Sequence, residues 1–209
     1  MKWTQMPLGA IQTNAYIIED ENKNAIIIDP GDEFHKLKTF VNHNGLKPIA
    51  VLLTHAHFDH IGALDEVREE WHIPAYLHKN EKEWLADPIK NGSAHFPLIK
   101  DLVMRSAEHI IDGPGPLNIG SFSFEVLETP GHSPGSISFY SSENNVVFSG
   151  DALFYGSIGR TDLYGGDQDV LLESIHSRLM TLPGNTVVAP GHGFETTILK
   201  EKETNPFLL

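Results

Sequence analysis

Thr54-His55-Ala56-His57-Phe58-Asp59-His60 places three imidazoles and one carboxylate within seven positions, directly after the apolar run Ile49-Ala50-Val51-Leu52-Leu53. Five apolar residues in succession read as a buried strand. A strand that ends by releasing four metal-capable side chains into a loop is unusual in purely structural terms. Imidazole and carboxylate together suit zinc, iron or manganese better than calcium or magnesium. The bland alternative is a His-rich surface loop in a chain that carries 12 His. After His60, the spacing of Ile61, Leu64, Val67, Arg68 and Trp71 predicts a helix. The candidate ligands therefore sit on a strand-to-helix turn.

Upstream of this loop the chain reads as β-structure. Ala15-Tyr16-Ile17-Ile18 and Ala25-Ile26-Ile27-Ile28 are rich in β-branched residues, with a polar turn between them. The second run ends in Asp29-Pro30-Gly31. On general grounds Asp29 reads as a turn or cap residue, a carboxylate at a strand's C-terminal end. Residues 32–44 carry a helical pattern through Phe34, Leu37, Lys38 and Val41, closed by Gly45. Pro74-Ala75-Tyr76-Leu77 reads as the next strand. Residues 79–109 are the least informative: a short helix over Glu81 to Leu85, then an irregular connection at His95-Phe96-Pro97. His78, His95 and His109 lie there without partners at ligand spacing, so they read as packing or surface histidines.

Downstream, Asp112-Gly113-Pro114-Gly115-Pro116 reads as a turn cluster and residues 122–128 as a strand. Strands over residues 136–140 and 146–148 follow. A helix over residues 167–181 begins with Asp167 as N-cap, and a last strand covers residues 186–189. Three strands here exit into Pro130-Gly131-His132, Gly150-Asp151 and Pro190-Gly191-His192. Gly and Pro permit sharp exits that can bring distant strand ends together. With the first loop they supply five imidazoles (His55, His57, His60, His132, His192) and two carboxylates (Asp59, Asp151). One first-row metal takes about four to six ligands, so seven protein ligands suit two adjacent metals.

Bulk properties narrow the function. At 209 residues, with 40% hydrophobic and 21% charged residues, the chain reads as one globular domain spanning 1–209. It has no Cys, which removes disulfides, thiolate ligands and a cysteine nucleophile. The net charge of −13 argues against nucleic acid as partner. No apolar run reaches the roughly 20 residues needed to span a bilayer, and no apolar signal core follows Met1. A cytoplasmic location without membrane association is expected; the oligomeric state stays open.

Taken in order, these motifs resemble those of the metallo-β-lactamase superfamily. Residues 54–60 match its T-H-x-H-x-D-H motif, His132, Asp151 and His192 its later motifs, and Asp29 its first. The resemblance covers essentially the whole chain and implies a four-layer αβ/βα sandwich. It also implies that His55, His57 and His132 hold one metal, that Asp59, His60 and His192 hold a second, and that Asp151 bridges them. Asp29 would stand behind the ligands. Two divalent metals are implied, zinc foremost, with iron or manganese as alternatives. Within the superfamily, residues 150–154 and 157–162 look like the short glyoxalase II-like hydrolases. These use a metal-bridging hydroxide, with Asp59 and Asp151 as catalytic ligands, on thioesters of the hydroxyacylglutathione type.

The longer glyoxalase II enzymes add a C-terminal helical glutathione-binding domain, which is not expected here. Two of their glutathione-contacting tyrosines correspond to Asp162 and Phe194, while a basic position is kept as Arg160. Arg160 either meets a substrate carboxylate or pairs with Asp162. Gly159-Arg160-Thr161-Asp162 also resembles the persulfide dioxygenases, which hold one Fe(II) through positions corresponding to His55, His132 and Asp151. Lactonase, other ester hydrolase and β-lactamase activities are weaker expectations, and a non-catalytic metal-binding module is the alternative of another class.

Overall fold

The computed structural model describes residues 1–96 and 99–209. The chain forms two compact units. The first comprises Met1–Ile111 with Ile119–Phe122, and the second Asp112–Asn118 with Ser123–Leu209.

In the first unit, β1 (Lys2–Leu8), β2 (Thr13–Glu19) and β3 (Asn24–Ile28) form an antiparallel meander, and β4 (Lys47–Leu52), β5 (Ala75–His78) and β6 (His109–Ile111) continue the sheet in parallel. The strand order follows the sequence, β1-β2-β3-β4-β5-β6. Parallel neighbours require crossovers. One is α1 (Phe34–His43), which joins β3 to β4; the next runs through α2 (Phe58–Ile61) and α3 (Leu64–Trp71) to β5. Leu37 and Val41 of α1 are fully buried, as their spacing predicts. Each contributes roughly 1.5–3 kcal/mol of apolar burial. Arg68 of α3 is buried too: its guanidinium binds Asp65, Glu108 and the carbonyls of Arg105 and Ser106. Burying a guanidinium is tolerable only with partners of this kind.

The second unit holds a sheet ordered β14-β13-β10-β9-β8-β7. Its strands are β7 (Gly115–Ile119), β8 (Phe122–Glu128), β9 (Ile137–Ser141), β10 (Val146–Gly150), β13 (Val187–Pro190) and β14 (Thr196–Thr197); residues 119–122 of the β7–β8 turn group with the first unit. A two-stranded hairpin, β11 (Leu153–Phe154) with β12 (Ser157–Ile158), stands apart. Helices α4 (Gln168–Ser174) and α5 (Ile198–Thr204) complete the unit. Asp167 caps α4 as expected, accepting from the N–H groups of Asp169 and Val170.

Several sequence expectations need correction. The Asp112–Pro116 turn cluster gives way to strand β7 at Gly115. The helix expected to run to Thr181 changes at Ser174 into a wider π turn over Ile175–Leu179. The helix after His60 begins earlier, at Phe58, and breaks at Gly62-Ala63 before α3. In place of a helix over Glu81 to Leu85 there are two short 3-10 turns, Lys79–Glu81 and Trp84–Ala86. His95 ends a further such turn, while Pro97 of the expected irregular connection lies outside the described residues. His78 is buried at the end of β5, whereas His109 is exposed and stacks on Tyr76. No helix among the described residues is long and apolar enough to cross a membrane.

Candidate metal centre

In each unit most of the candidate ligands leave the C-terminal ends of neighbouring parallel strands, where the chain exits the sheet and side chains can converge; His132 is the exception. In the first unit these strands are β3 and β4. The N–H of Asp29 bonds to the carbonyl of Leu52, which fixes the exit of β3 beside that of β4. Asp29 is buried, at φ 48°, a left-handed conformation that Asp and Asn accept more readily than most residues.

Asp29 is no surface turn residue. Its Oδ1 accepts the Thr54 N–H at 2.8 Å, and its Oδ2 accepts the Thr54 hydroxyl at 2.6 Å and the Nδ1–H of His60 at 2.9 Å. With its single proton committed to Asp29, the Thr54 hydroxyl can only accept from His55 Nδ1, 3.0 Å away. One carboxylate thus sets the tautomer of two imidazoles, His60 directly and His55 through Thr54. Both keep the Nε2 lone pair for a metal. His60 Nε2 lies 3.4 Å from Asp59 Oδ2, and Asp59 also accepts the Thr13 hydroxyl at 2.8 Å. A lone pair facing a carboxylate at that range is repulsive unless a cation lies near both. The His55 ring meets those of His57 and His60 at centroid distances of 4.9 Å and 4.1 Å.

Two contributors carried no sequence signal. Glu81 is fully buried, and its Oε2 accepts the N–H of Ala56, the residue between His55 and His57, at 2.6 Å. Trp84 lies against the His57 ring at 5.7 Å. Both come from the stretch that is least legible by periodicity. A Glu beside Lys and Asn in a turn looks solvated until its burial is seen.

In the second unit the neighbouring parallel strands are β10 and β13. A register irregularity between Phe148 and Gly150 re-aims the end of β10, and the N–H of Gly191 bonds to the carbonyl of Gly150 at 2.8 Å. Asp151 and His192 thereby emerge side by side, with His192 Nε2 3.5 Å from Asp151 Oδ2. His132 arrives from the end of β8, and its Nε2 lies 3.6 Å from the same oxygen. His132 Nδ1 donates to the carbonyl of Arg160 at 2.7 Å, which again leaves the lone pair on Nε2. Gly159 must be glycine for this approach, since a Cβ there would stand 1.8 Å from the Asp151 carbonyl oxygen. His132 and Asp151 are buried, and the ring of Phe154 meets His192 edge-on at 5.9 Å.

The donor set of both units fits a divalent transition metal. It consists of neutral imidazoles with Nε2 available, mostly buried, beside carboxylates, with no thiolate anywhere in the sequence.

Arg160 and Phe194 are the loop residues expected at substrate. Arg160 takes the ion-pair alternative: its Nε and one terminal nitrogen each bond to an Asp162 carboxylate oxygen at 2.7 Å. Phe194 is 80% exposed. Hydrogen bonding from the Arg160 guanidinium draws the Asp162 carboxyl down from 3.8 to about 2. A lowered native pKa means that the pair supports the folded state above the ordinary carboxylate range and is lost as pH falls through about 2. An NMR titration should place the Asp162 midpoint near 2 and, in an Arg160→Ala variant, move it back up toward 3.8.

Comparison with known proteins adds independent findings. A model of the metallo-beta-lactamase superfamily matches residues 8–192, through both units. A probable metallo-hydrolase of Bacillus subtilis is 56% identical over 208 residues, covering 100% of this chain and 98% of the relative. A hydroxyacylglutathione hydrolase of Haemophilus influenzae is 36% identical, covering 97% and 96% of the two chains. Among solved structures, the B3 metallo-beta-lactamase BLEG-1 superposes with a TM-score of 0.97 at 50% identity, over 99% of each chain. TTHA1623 in a di-iron-bound form gives a TM-score of 0.87 at 41% identity, over 98% of this chain and 100% of that one.

Proposed function

The chain belongs to the metallo-β-lactamase superfamily and adopts its mixed α/β fold, and from that premise we propose that it is a binuclear metal-dependent hydrolase of thioesters of the hydroxyacylglutathione type. In this reading His55, His57 and His132 hold one metal, Asp59, His60 and His192 the other, and Asp151 is shared. Imidazole and carboxylate suit zinc, iron and manganese alike, and one similar structure is di-iron-bound.

The observation that carries the reading is the commitment of three ring nitrogens. His60 Nδ1 is held by Asp29, His55 Nδ1 by Thr54, and His132 Nδ1 by the Arg160 carbonyl. Each presents Nε2 as a neutral ligand, without the reorganisation that a free imidazole would require. Metals bound by such a set lower the pKa of water towards neutrality and polarise a carbonyl. Asp59 is oriented for this by Thr13. Hydrolysis forms one C–O bond and breaks one C–S bond, giving a carboxylic acid and a thiol. Thiolate leaves readily, so the mechanism asks for no strong general acid. It also needs no cysteine nucleophile, and the chain has none. The relative named as a hydroxyacylglutathione hydrolase supports the thioester class.

The test is steady-state hydrolysis of S-lactoylglutathione and other acyl thioesters by the metal-loaded protein, followed by loss of thioester absorbance. Turnover with kcat/KM of at least about 10⁴ M⁻¹s⁻¹ is expected. Hydrolysis of β-lactams or lactones with no thioester turnover would overturn the substrate assignment.

A further inference from the structure

Beside Asp59 the first unit carries a half-open cavity of about 360 Å³. Leu8, Ile11, Phe58 and Leu102 supply apolar wall, and Thr13 and Asp59 stand at its polar end. The wall on the α2 side is firmly placed. Gly31 and Gly62 interlock backbone to backbone: a Cβ on Gly31 would meet the Asp59 carbonyl oxygen at 1.7 Å, and one on Gly62 the Gly31 oxygen at 2.1 Å. Opposite, Ile11 sits on the β1–β2 turn with its side chain half exposed, where it can close over an occupant.

We propose that this cavity receives an apolar acyl group of the thioester, so that the enzyme prefers acyl chains longer than lactoyl. The inference rests on the hydrolase reading and names its substrate class. Three observations carry it. First, Asp59, a proposed ligand, forms part of the wall, so the cavity adjoins the proposed metal centre. Second, apart from Asp59, whose charge a bound metal would offset, the charged group among the described lining residues is the acidic Asp32; it disfavours the carboxylates of a glutathionyl group and leaves a neutral acyl chain as the better occupant. Third, the volume corresponds to about a dozen water molecules at roughly 30 Å³ each. A lactoyl group fills only part of that, and its hydroxyl gains nothing from Leu8, Phe58 and Leu102. A mostly apolar cavity with a few polar groups at one end is the usual form of a small-molecule site.

The experiment varies the acyl group on one fixed thiol, glutathione, through acetyl, butanoyl, hexanoyl and lactoyl. kcat/KM is expected to rise about two- to fourfold per methylene from acetyl to hexanoyl. Ile11→Asp and Leu102→Ala are each expected to lower the hexanoyl-to-acetyl ratio about tenfold or more. Ile11 is exposed enough for the aspartate to be accommodated in the fold. A readout independent of turnover is methyl NMR of the metal-free protein titrated with hexanamide, a neutral probe, which should shift the Ile11 and Leu102 resonances. A flat acyl series, with lactoyl hydrolysed as fast as hexanoyl, overturns the inference and leaves the hydrolase reading standing. Hexanamide shifts confined to other residues also overturn it. Failure to hydrolyse any acyl thioester overturns both.

Discussion

Replacing Asp151 by asparagine is expected to reduce thioester hydrolysis by at least about 10³-fold and to lower bound metal below two per chain. The loss should exceed the ~10–100-fold that follows removal of an outer hydrogen-bonding partner. The physical ground is charge. Asp151 Oδ2 faces the Nε2 atoms of His132 and His192 at 3.6 Å and 3.5 Å. His132 spends its Nδ1 proton on the Arg160 carbonyl, so its Nε2 presents a lone pair to a carboxylate. A cation bound there would offset the repulsion between lone pair and carboxylate, and asparagine keeps the shape of Asp151 while removing its charge. A second consequence separates this role from a structural one. In chelator, Asp151→Asn should melt no lower than the wild type, because neutralising a buried carboxylate relieves its desolvation. Thermal melts of both proteins with and without metal check this. A variant that melts several degrees lower in chelator would mean that Asp151 serves the fold rather than the metals.

The second large effect is expected at Asp29. Asp29→Ala removes the acceptor of three buried donors: the Thr54 N–H, the Thr54 hydroxyl and His60 Nδ1. Each unsatisfied buried donor costs about 1–3 kcal/mol. Alanine at φ 48° adds roughly 1–2 kcal/mol of backbone strain. Allowing for relaxation, the variant should lose about 3–5 kcal/mol, which for a chain of this length is a fall in melting temperature on the order of 10 °C. Asp29→Asn is the more informative change. Asn tolerates the left-handed backbone and still accepts one proton through its carbonyl, but its amide donates where the carboxylate accepted. With the amide at the Oδ2 position, His60 or the Thr54–His55 pair must abandon its tautomer; with it at the Oδ1 position, it meets the Thr54 N–H donor against donor. Metal affinity should drop ~10–100-fold, measured by competition with a chelator, with much less loss of stability than the alanine variant shows.

The candidate ligands were legible in the sequence because metal chemistry needs particular side chains, and the chain supplies them at strand ends flanked by Gly and Pro. The parallel pairings of β3 with β4 and β10 with β13 explain why those ends become neighbours. Asp29 could not be separated from a turn residue by sequence, since its role depends on which side chains β4 delivers beside it. Glu81 and Trp84 stayed invisible for a related reason: they lie in short 3-10 turns without periodicity, and only burial distinguishes them from solvated residues. The turn expected over Asp112–Pro116 is confined to its first residues, with a bend at Gly113-Pro114, because Gly and Pro also start strands: β7 takes up Gly115 and Pro116 at its beginning, where a missing N–H is tolerated. The Arg160–Asp162 pair illustrates the limit of motif reading. A basic residue at a substrate-contacting position finds its partner two residues away.

The central claim, two metals shared among seven protein ligands, is tested most directly by elemental analysis of the purified, metal-loaded chain. Close to two zinc, iron or manganese ions per chain are expected, falling towards one or none in Asp151→Asn. One iron per chain, with oxygen consumed on a persulfide and no thioester hydrolysed, would contradict the account.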